Sequence, residues 1–190
     1  MTKKDIRKIE LEKRIRLSPQ ELHDKTGLIV SQFKNWTHPS AVEVLLSYYP
    51  LKERNEFDVS ICEQVIKEKI PLVKVAWPKI TLNNYSMEAH LIERNKLFIK
   101  NKFNILEPLD GDVVPAESID IVFVPLIAFD KKGFRIGYGR GFYDRYLPGC
   151  RVNVVKIGFS FFDAIDKIDD INEFDVPLNL CITPTWIYEF

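Results

Sequence analysis

"IDIVFVPLIAF", residues 119–129, is apolar at all but one position. A strand with one face in water alternates apolar and polar residues. A near-continuous run marks a strand covered on both faces, as in the sheet of an α/β protein. The flanking segments support that reading. "AVEVLLSYY" (41–49), "PLVKVAWP" (71–78, closed by Pro78), "SMEAHLI" (86–92), "VNVVKIGFS" (152–160) and "LNLCITP" (178–184) are rich in β-branched and aromatic residues and read as strands. Helices fall between and before them. Residues 3–17 place Ile6, Ile9 and Ile15 on an apolar stripe. "SPQE" at 18–21 starts a second helix with Ser18 as N-cap, Pro19 in the first turn and Glu21 closing a capping box. Leu22, Ile29, Val30 and Phe33 form its buried side, and "THPS" (37–40) ends it. Phe57, Ile61, Val65 and Ile66 give residues 56–69 a helical spacing. The expected fold is α/β, a three-layer α/β/α arrangement around a mostly parallel sheet, with residues 1–190 forming one domain.

Composition narrows the function. Lysine plus arginine and aspartate plus glutamate each number 27, so the formal net charge is zero. Broad nucleic-acid binding needs a basic footprint that this balance lacks, although a local basic pocket is compatible with it. No apolar run approaches the roughly 20 residues of a membrane span. The first residues, "MTKKDIRKIELEKRIR", have no apolar core of the kind a secretory signal carries. Cys62, Cys150 and Cys181 are widely spaced and form no CxxC pair, which argues against a zinc site or disulfide framework. A reducing, cytoplasmic compartment is expected.

Glycine is scarce, 8 residues in 190, yet Gly133, Gly137, Gly139 and Gly141 fall within nine positions of "FDKKGFRIGYGRGFYDRYL" (129–147). This stretch follows the most apolar strand and precedes a helix, the place where open α/β sheets bind ligands. Glycine lets backbone N–H groups approach an anion closely, and Arg135 and Arg140 add charge suited to phosphate or carboxylate. The pattern is neither a Walker A loop nor a Rossmann fingerprint. On spacing alone, phosphate binding and an ordinary tight turn both remain open, and Asp144 is either a Mg²⁺ ligand or a helix cap. Lys3, Arg7 and Arg14 share one face of the first helix, which is either solvated or turned toward a site.

The long central motif "VPLIAFDKKGFRIGYGRGFYDRYL" (124–147) resembles the signature of the 5-formyltetrahydrofolate cyclo-ligases, also called 5,10-methenyltetrahydrofolate synthetases. The resemblance extends to "KKDIR" (3–7), "LLSYYPLKERNEFD" (45–58), "WPK" (77–79), "ILEP" (105–108) and "EFDVPLNLCIT" (173–183). It implies the cyclo-ligase fold, on a sheet related to those of phosphosugar isomerases and CoA transferases. It also implies ATP as co-substrate, Mg²⁺, and the conversion of 5-formyltetrahydrofolate to 5,10-methenyltetrahydrofolate with release of ADP and phosphate. By the same resemblance Lys3, Lys4 and Arg7 contact the ATP phosphates. Arg135, Ile136, Gly137, Tyr138, Gly139, Arg140, Gly141, Phe142 and Tyr143 wrap the triphosphate, and Tyr138 to Phe142 also face the folate. Leu46 and Glu56 match folate contacts, Asp144 and Asp175 the Mg²⁺-associated carboxylates, and Arg140 and Tyr143 are the expected catalytic groups. Tyr48 and Trp77 are placed beside the pterin ring. The chain departs from the family pattern at Leu126, where glycine is usual, at Phe142 and Phe174, where tyrosine and histidine are frequent, and at Asn179, where aspartate is frequent. Small-molecule substrates, no nucleic acid, no membrane, and a monomer or weak homodimer complete the expectation. Two other readings stand beside it: an isomerase or CoA-transferase-like enzyme with no need of ATP, and a relative that binds nucleotide or folate without turnover.

Overall fold

The computed structural model describes residues 1–37, 39, 41–81, 86–92, 98–102 and 104–190. His38 and Ser40 of the expected helix terminator lie outside the described residues. The helices are α1 (Lys3–Ile15), α2 (Pro19–Asn35), α3 (Ser60–Lys69) and α4 (Phe142–Tyr146). The strands of the main sheet are β1 (Val44–Leu46), β2 (Lys74–Thr81), β3 (Ser86–Leu91), β6 (Asp112–Val114), β7 (Ile121–Phe123), β10 (Val155–Phe159), β11 (Leu180–Ile182) and β12 (Ile187–Glu189). Two small ribbons pair β4 (Phe98–Lys100) with β5 (Leu106–Pro108), and β8 (Ala128–Phe129) with β9 (Arg135–Ile136).

The main sheet has the order β12-β11-β10-β7-β1-β2-β3-β6. Its five central strands, β11 to β2 in that order, run parallel. β12 at one edge and β3 and β6 at the other are antiparallel to their neighbours. Leu45, Ile121, Phe123, Ile157 and Phe159 point to one face, where they pack with Ile29 and Phe33 of α2 and Cys62, Val65 and Ile66 of α3. Val44, Leu46, Val122 and Val124 point to the other face and meet Phe142 of α4 and Leu147. Covering on both sides explains why the 119–129 run is apolar without alternation. The two covers are unequal, however. α2 and α3 form a full layer, whereas the second face is closed by the short α4, a 3₁₀ turn at Leu147–Gly149 and the β8–β9 ribbon.

The apolar run is not one strand. It leaves the sheet after Val124, whose N–H donates to the Ile157 carbonyl at 2.8 Å, turns at Pro125, and re-forms as β8 paired with β9. Both halves are buried, so composition alone does not reveal the break. The carboxylate of Asp130, itself buried, shapes the ribbon's turn by accepting from the N–H groups of Lys132 and Phe134. Gly133 closes that turn at φ +83° with the Phe190 ring against it; a Cβ there would lie 2.6 Å from the ring. The first of the four clustered glycines therefore serves the ribbon.

Three further expectations change. β2 does not stop at Pro78 but continues to Thr81, paired with β3. Its pairing with β1 ends at Ala76, so at Pro78 no β1 partner remains to receive the missing N–H. α3 begins at Ser60, four residues later than the apolar spacing suggests, because Phe57 reaches the core from the preceding loop and the Asp58 side chain accepts from the Ser60 N–H. Of the three isoleucines on α1, Ile9 and Ile15 are about half exposed and Ile6 is buried, against Ala128, Ile136 and Ile168. α2 matches its expected start, with the Ser18–Glu21 capping box formed in both directions.

The departure at Leu126 has a packing counterpart. Its side chain lies over Gly158 of β10, where an added Cβ would come within 2.5 Å of a Leu126 methyl and 2.8 Å of Leu178.

Candidate active site

A cleft of about 710 Å³ opens on the thinner face, beyond the carboxyl ends of β1 and β7. Tyr48, Tyr49 and Leu51 follow β1 into its wall, and Pro125 follows β7. The β8–β9 ribbon delivers residues Arg135 to Asp144 to the same wall, and α1 lies alongside the ribbon with Lys3 and Arg7 facing in. Of the cationic stripe of α1, Lys3 and Arg7 thus face the cleft and Arg14 is buried.

Two polar clusters line the cavity. In the first, the Arg7 Nε donates to the Gly137 carbonyl at 2.8 Å, and its guanidinium lies beneath Gly139. Gly139 has φ +89°, a conformation that a side chain would strain, and the space beside it would admit a Cβ at ordinary distance from Arg7. The backbone path, not the room, demands glycine there. Lys3 Nζ donates to Asp175 at 2.6 Å, and Arg135 donates to Asp144 Oδ1 at 2.8 Å and to the Val176 carbonyl. Arg135 is nearly enclosed, and burial pulls its basicity down while Asp144 holds it up. Arg140 sits exposed at the mouth. The Tyr143 hydroxyl is buried in the wall with no hydrogen-bond partner among the described residues, and burial pushes its phenol well up.

The second cluster surrounds Glu56, which is also nearly buried. The Tyr138 hydroxyl donates to its Oε1 at 2.7 Å and the Leu51 N–H to its Oε2 at 2.8 Å. Burial raises the Glu56 carboxyl above its ordinary range, against the lowering effect of the Tyr138 hydrogen bond and the Arg14 charge. Arg14, 5% exposed, donates to Tyr138 Oη at 2.6 Å, to the Leu126 carbonyl at 2.9 Å and to the Arg54 carbonyl at 2.9 Å. Arg54 itself lies 5.1 Å from the Tyr138 ring.

The fold brings most of the expected site residues together. Lys3, Arg7, Glu56, Arg135 to Asp144 and Asp175 all line the one cleft. Lys4 is exposed on α1 and Leu46 is fully buried in the sheet, so neither contributes to the wall. Tyr48 does, whereas Trp77 is not part of the wall; it stacks on Tyr49 at 6.3 Å, and Tyr49 lines the cavity. Phe142 lines the cleft without the hydroxyl that tyrosine would bring. Sequence reading passes over Arg54, Tyr49, Ile80, Met87 and Glu107 in the wall. Glu107 accepts from the Ile80 N–H at 3.1 Å and from Asn101 at 2.9 Å; its only signal in the sequence is the "ILEP" match.

Among the described residues no three histidine, cysteine or acidic side chains gather as a metal cage. Asp144 and Asp175 stand near Arg135, each already in an ion pair. Two carboxylates fit a Mg²⁺ that shares its coordination with phosphate oxygens and water, which is that ion's habit.

The family model for the 5-formyltetrahydrofolate cyclo-ligase family matches residues 1–184. The chain is 35% identical over 110 residues to 5-formyltetrahydrofolate cyclo-ligase of Escherichia coli K12, an alignment covering 56% of this chain and 57% of that one. It is 28% identical over 184 residues to the Mycoplasma pneumoniae cyclo-ligase, covering 96% and 98%. The solved structure of Aquifex aeolicus 5,10-methenyltetrahydrofolate synthetase superposes with a TM-score of 0.80 at 28% identity, covering 100% of this chain and 93% of that one. That of the Mycoplasma pneumoniae synthetase superposes with 0.75 at 25% identity, covering 97% and 99%. The chain belongs to the 5-formyltetrahydrofolate cyclo-ligase family.

Proposed function

We propose that the chain uses ATP to convert 5-formyltetrahydrofolate to 5,10-methenyltetrahydrofolate, with residues 1–190 acting as one cyclo-ligase domain. The observation that carries this reading is the shared cleft: a glycine-rich loop flanked by Lys3, Arg7 and Arg140 opens into the same cavity as the carboxylate of Glu56. Phosphate chemistry and recognition of a donor-rich heterocycle can then occur side by side.

The need for ATP follows from the substrate. An N-formyl group is an amide, a weak electrophile whose oxygen is a poor leaving group. Transfer of the γ-phosphoryl group to the formyl oxygen releases ADP and leaves an imidate-like phosphate. N10 of the same folate attacks its carbon, loses its proton, and phosphate departs as the ring closes. The protein's part is positioning and charge neutralisation. Lys3 and Arg7 hold the phosphates from α1, and the backbone from Arg135 to Tyr143 folds around them. Asp144 and Asp175 would hold Mg²⁺, which would supply charge neutralisation. Arg140 meets the transferred group at the cleft mouth. The Tyr143 hydroxyl, which has no protein acceptor among the described residues, donates to the formyl or phosphate oxygen. Glu56 accepts from the pterin N–H groups, and Tyr49 offers its ring face.

No helix among the described residues is long and apolar enough to cross a membrane. The three cysteines are free, which supports a reducing compartment and our cytoplasmic assignment. The test is absorbance in the methenyltetrahydrofolate band, with purified chain, 5-formyltetrahydrofolate, Mg²⁺ and ATP. A rise that requires ATP is expected. A flat trace from folded protein that binds both ligands would overturn the reading in favour of a relative without turnover.

A further inference from the structure

We infer that Arg14, outside the cleft wall, is a positioning residue for folate recognition: it fixes the Tyr138 hydroxyl so that Glu56 stands as a directed acceptor. This inference rests on the proposed function and names a residue outside the stretches that carry the family resemblance.

The argument begins with hydrogen-bond capacity. A guanidinium only donates. Arg14 donates to Tyr138 Oη, so the oxygen's one hydrogen is directed to Glu56 Oε1. The direction of the chain Arg14 to Tyr138 to Glu56 is thereby set. The Leu51 N–H holds the other carboxylate oxygen. Arg14 is itself fixed, since two further donors of its guanidinium go to the carbonyls of Leu126 and Arg54, and the Asn55 side chain donates back to the Arg14 carbonyl at 3.2 Å. An arginine enclosed to this degree, with three acceptors from three different segments, is placed far more exactingly than a surface cation.

The charged and titratable groups around Glu56 are Arg14, Arg54 and Tyr138, with the hydroxyls of Tyr48 and Tyr143 also near enough to act on it. Burial opposes ionisation of Glu56, and Arg14 and Tyr138 favour it. Loss of either therefore raises the pH at which Glu56 becomes a full acceptor.

The experiment measures 5-formyltetrahydrofolate affinity by calorimetry, without nucleotide, from acidic to neutral pH. The full chain is compared with Tyr138→Phe, Arg14→Lys and Arg14→Gln. Tyr138→Phe removes one oxygen and leaves Arg14 in place, so it decides the link even where an Arg14 variant fails to fold. Affinity is expected to fall about tenfold at neutral pH in Tyr138→Phe and Arg14→Gln, the scale of one charge-assisted hydrogen bond. The acid limb of binding is expected to move to higher pH in both, with Arg14→Lys between them and the parent. A double variant no weaker than Tyr138→Phe alone would show that the two act in series. Folded variants that keep the parent's acid limb would overturn the inference and leave the proposed function standing. No folate binding by the parent at any pH would overturn both.

Discussion

The carboxylates beside the glycine loop and the carboxylate behind Tyr138 are handled in different ways. Asp144 and Asp175 are each matched to a cation, Arg135 and Lys3, in short ion pairs on the cleft wall. Among the described residues Glu56 has no ion pair; both of its oxygens are held by neutral donors, and Arg14 hydrogen-bonds to Tyr138 rather than to Glu56 itself. Paired charges can exchange partners. Under the proposed function, the cations would turn to phosphate and the carboxylates would be free to hold a metal, without any charge being left bare. The bonds at Glu56 cannot be exchanged in this way, because they fix direction. The proposed reaction, which moves charge and requires recognition of a flat heterocycle, has use for both arrangements.

The comparison can be broken most sharply at Arg135. Its removal leaves Asp144 facing a low-dielectric wall and frees the Val176 carbonyl. Arg135→Ala is expected to cost about 3 kcal/mol of stability in urea unfolding, since Asp144 keeps some solvent contact, and to abolish turnover. A stable, active variant would mean that the pair is incidental.

Glu56→Gln tests the other cluster. Folate affinity should fall about 10- to 100-fold, the range for a hydrogen bond to a charged group. Stability should respond to pH with a definite sign. Burial raises this carboxyl, so the folded chain keeps its proton at a pH where the unfolded chain has released it. The contribution of Glu56 to stability is full below the ordinary carboxylate range and is lost as pH rises through the raised value. The urea midpoint of the variant, measured against that of the parent, is therefore expected to improve as pH climbs through that window. A constant difference would show that Glu56 titrates normally.

Arg140→Ala should give the smallest structural effect. The side chain is exposed at the cleft mouth, so stability is expected to change by no more than about 0.5 kcal/mol. The KM for ATP should nevertheless rise about tenfold, the loss of one charge-assisted contact to phosphate. An unchanged KM would remove Arg140 from the site.

Local signals in the sequence translate well into structure. The Ser18–Glu21 box, the buried character of 119–129 and the glycine stretch beside Arg135 and Asp144 each depend on neighbours a few residues away, and each reappears. The break at Pro125 is hidden because strand and ribbon are equally buried. The role of Arg14 is hidden for a different reason. Its partners are 40, 112 and 124 residues distant, and nothing in a charged helix says which arginine will be enclosed. Ile9 and Ile15 mislead in the same helix, since the face that docks is chosen by hydrogen bonds to the ribbon and the cleft more than by apolar area. Glu56 and Asp175 are legible only through family resemblance; alone, each is one acid among 27.

The contact between Leu126 and Gly158 restricts the order in which this sequence can change. Gly158→Ala alone would drive a Cβ into the Leu126 methyl, while Leu126→Ala alone would open a void costing about 2–5 kcal/mol. Made together, Leu126→Ala removes the nearer of the two clashes of Gly158→Ala, with Leu178 still 2.8 Å from the new Cβ, and the double variant should melt above the value expected from adding the single losses. A path of substitutions between glycine and leucine at position 126 thus runs through position 158, and neither site can be judged neutral without knowing the other.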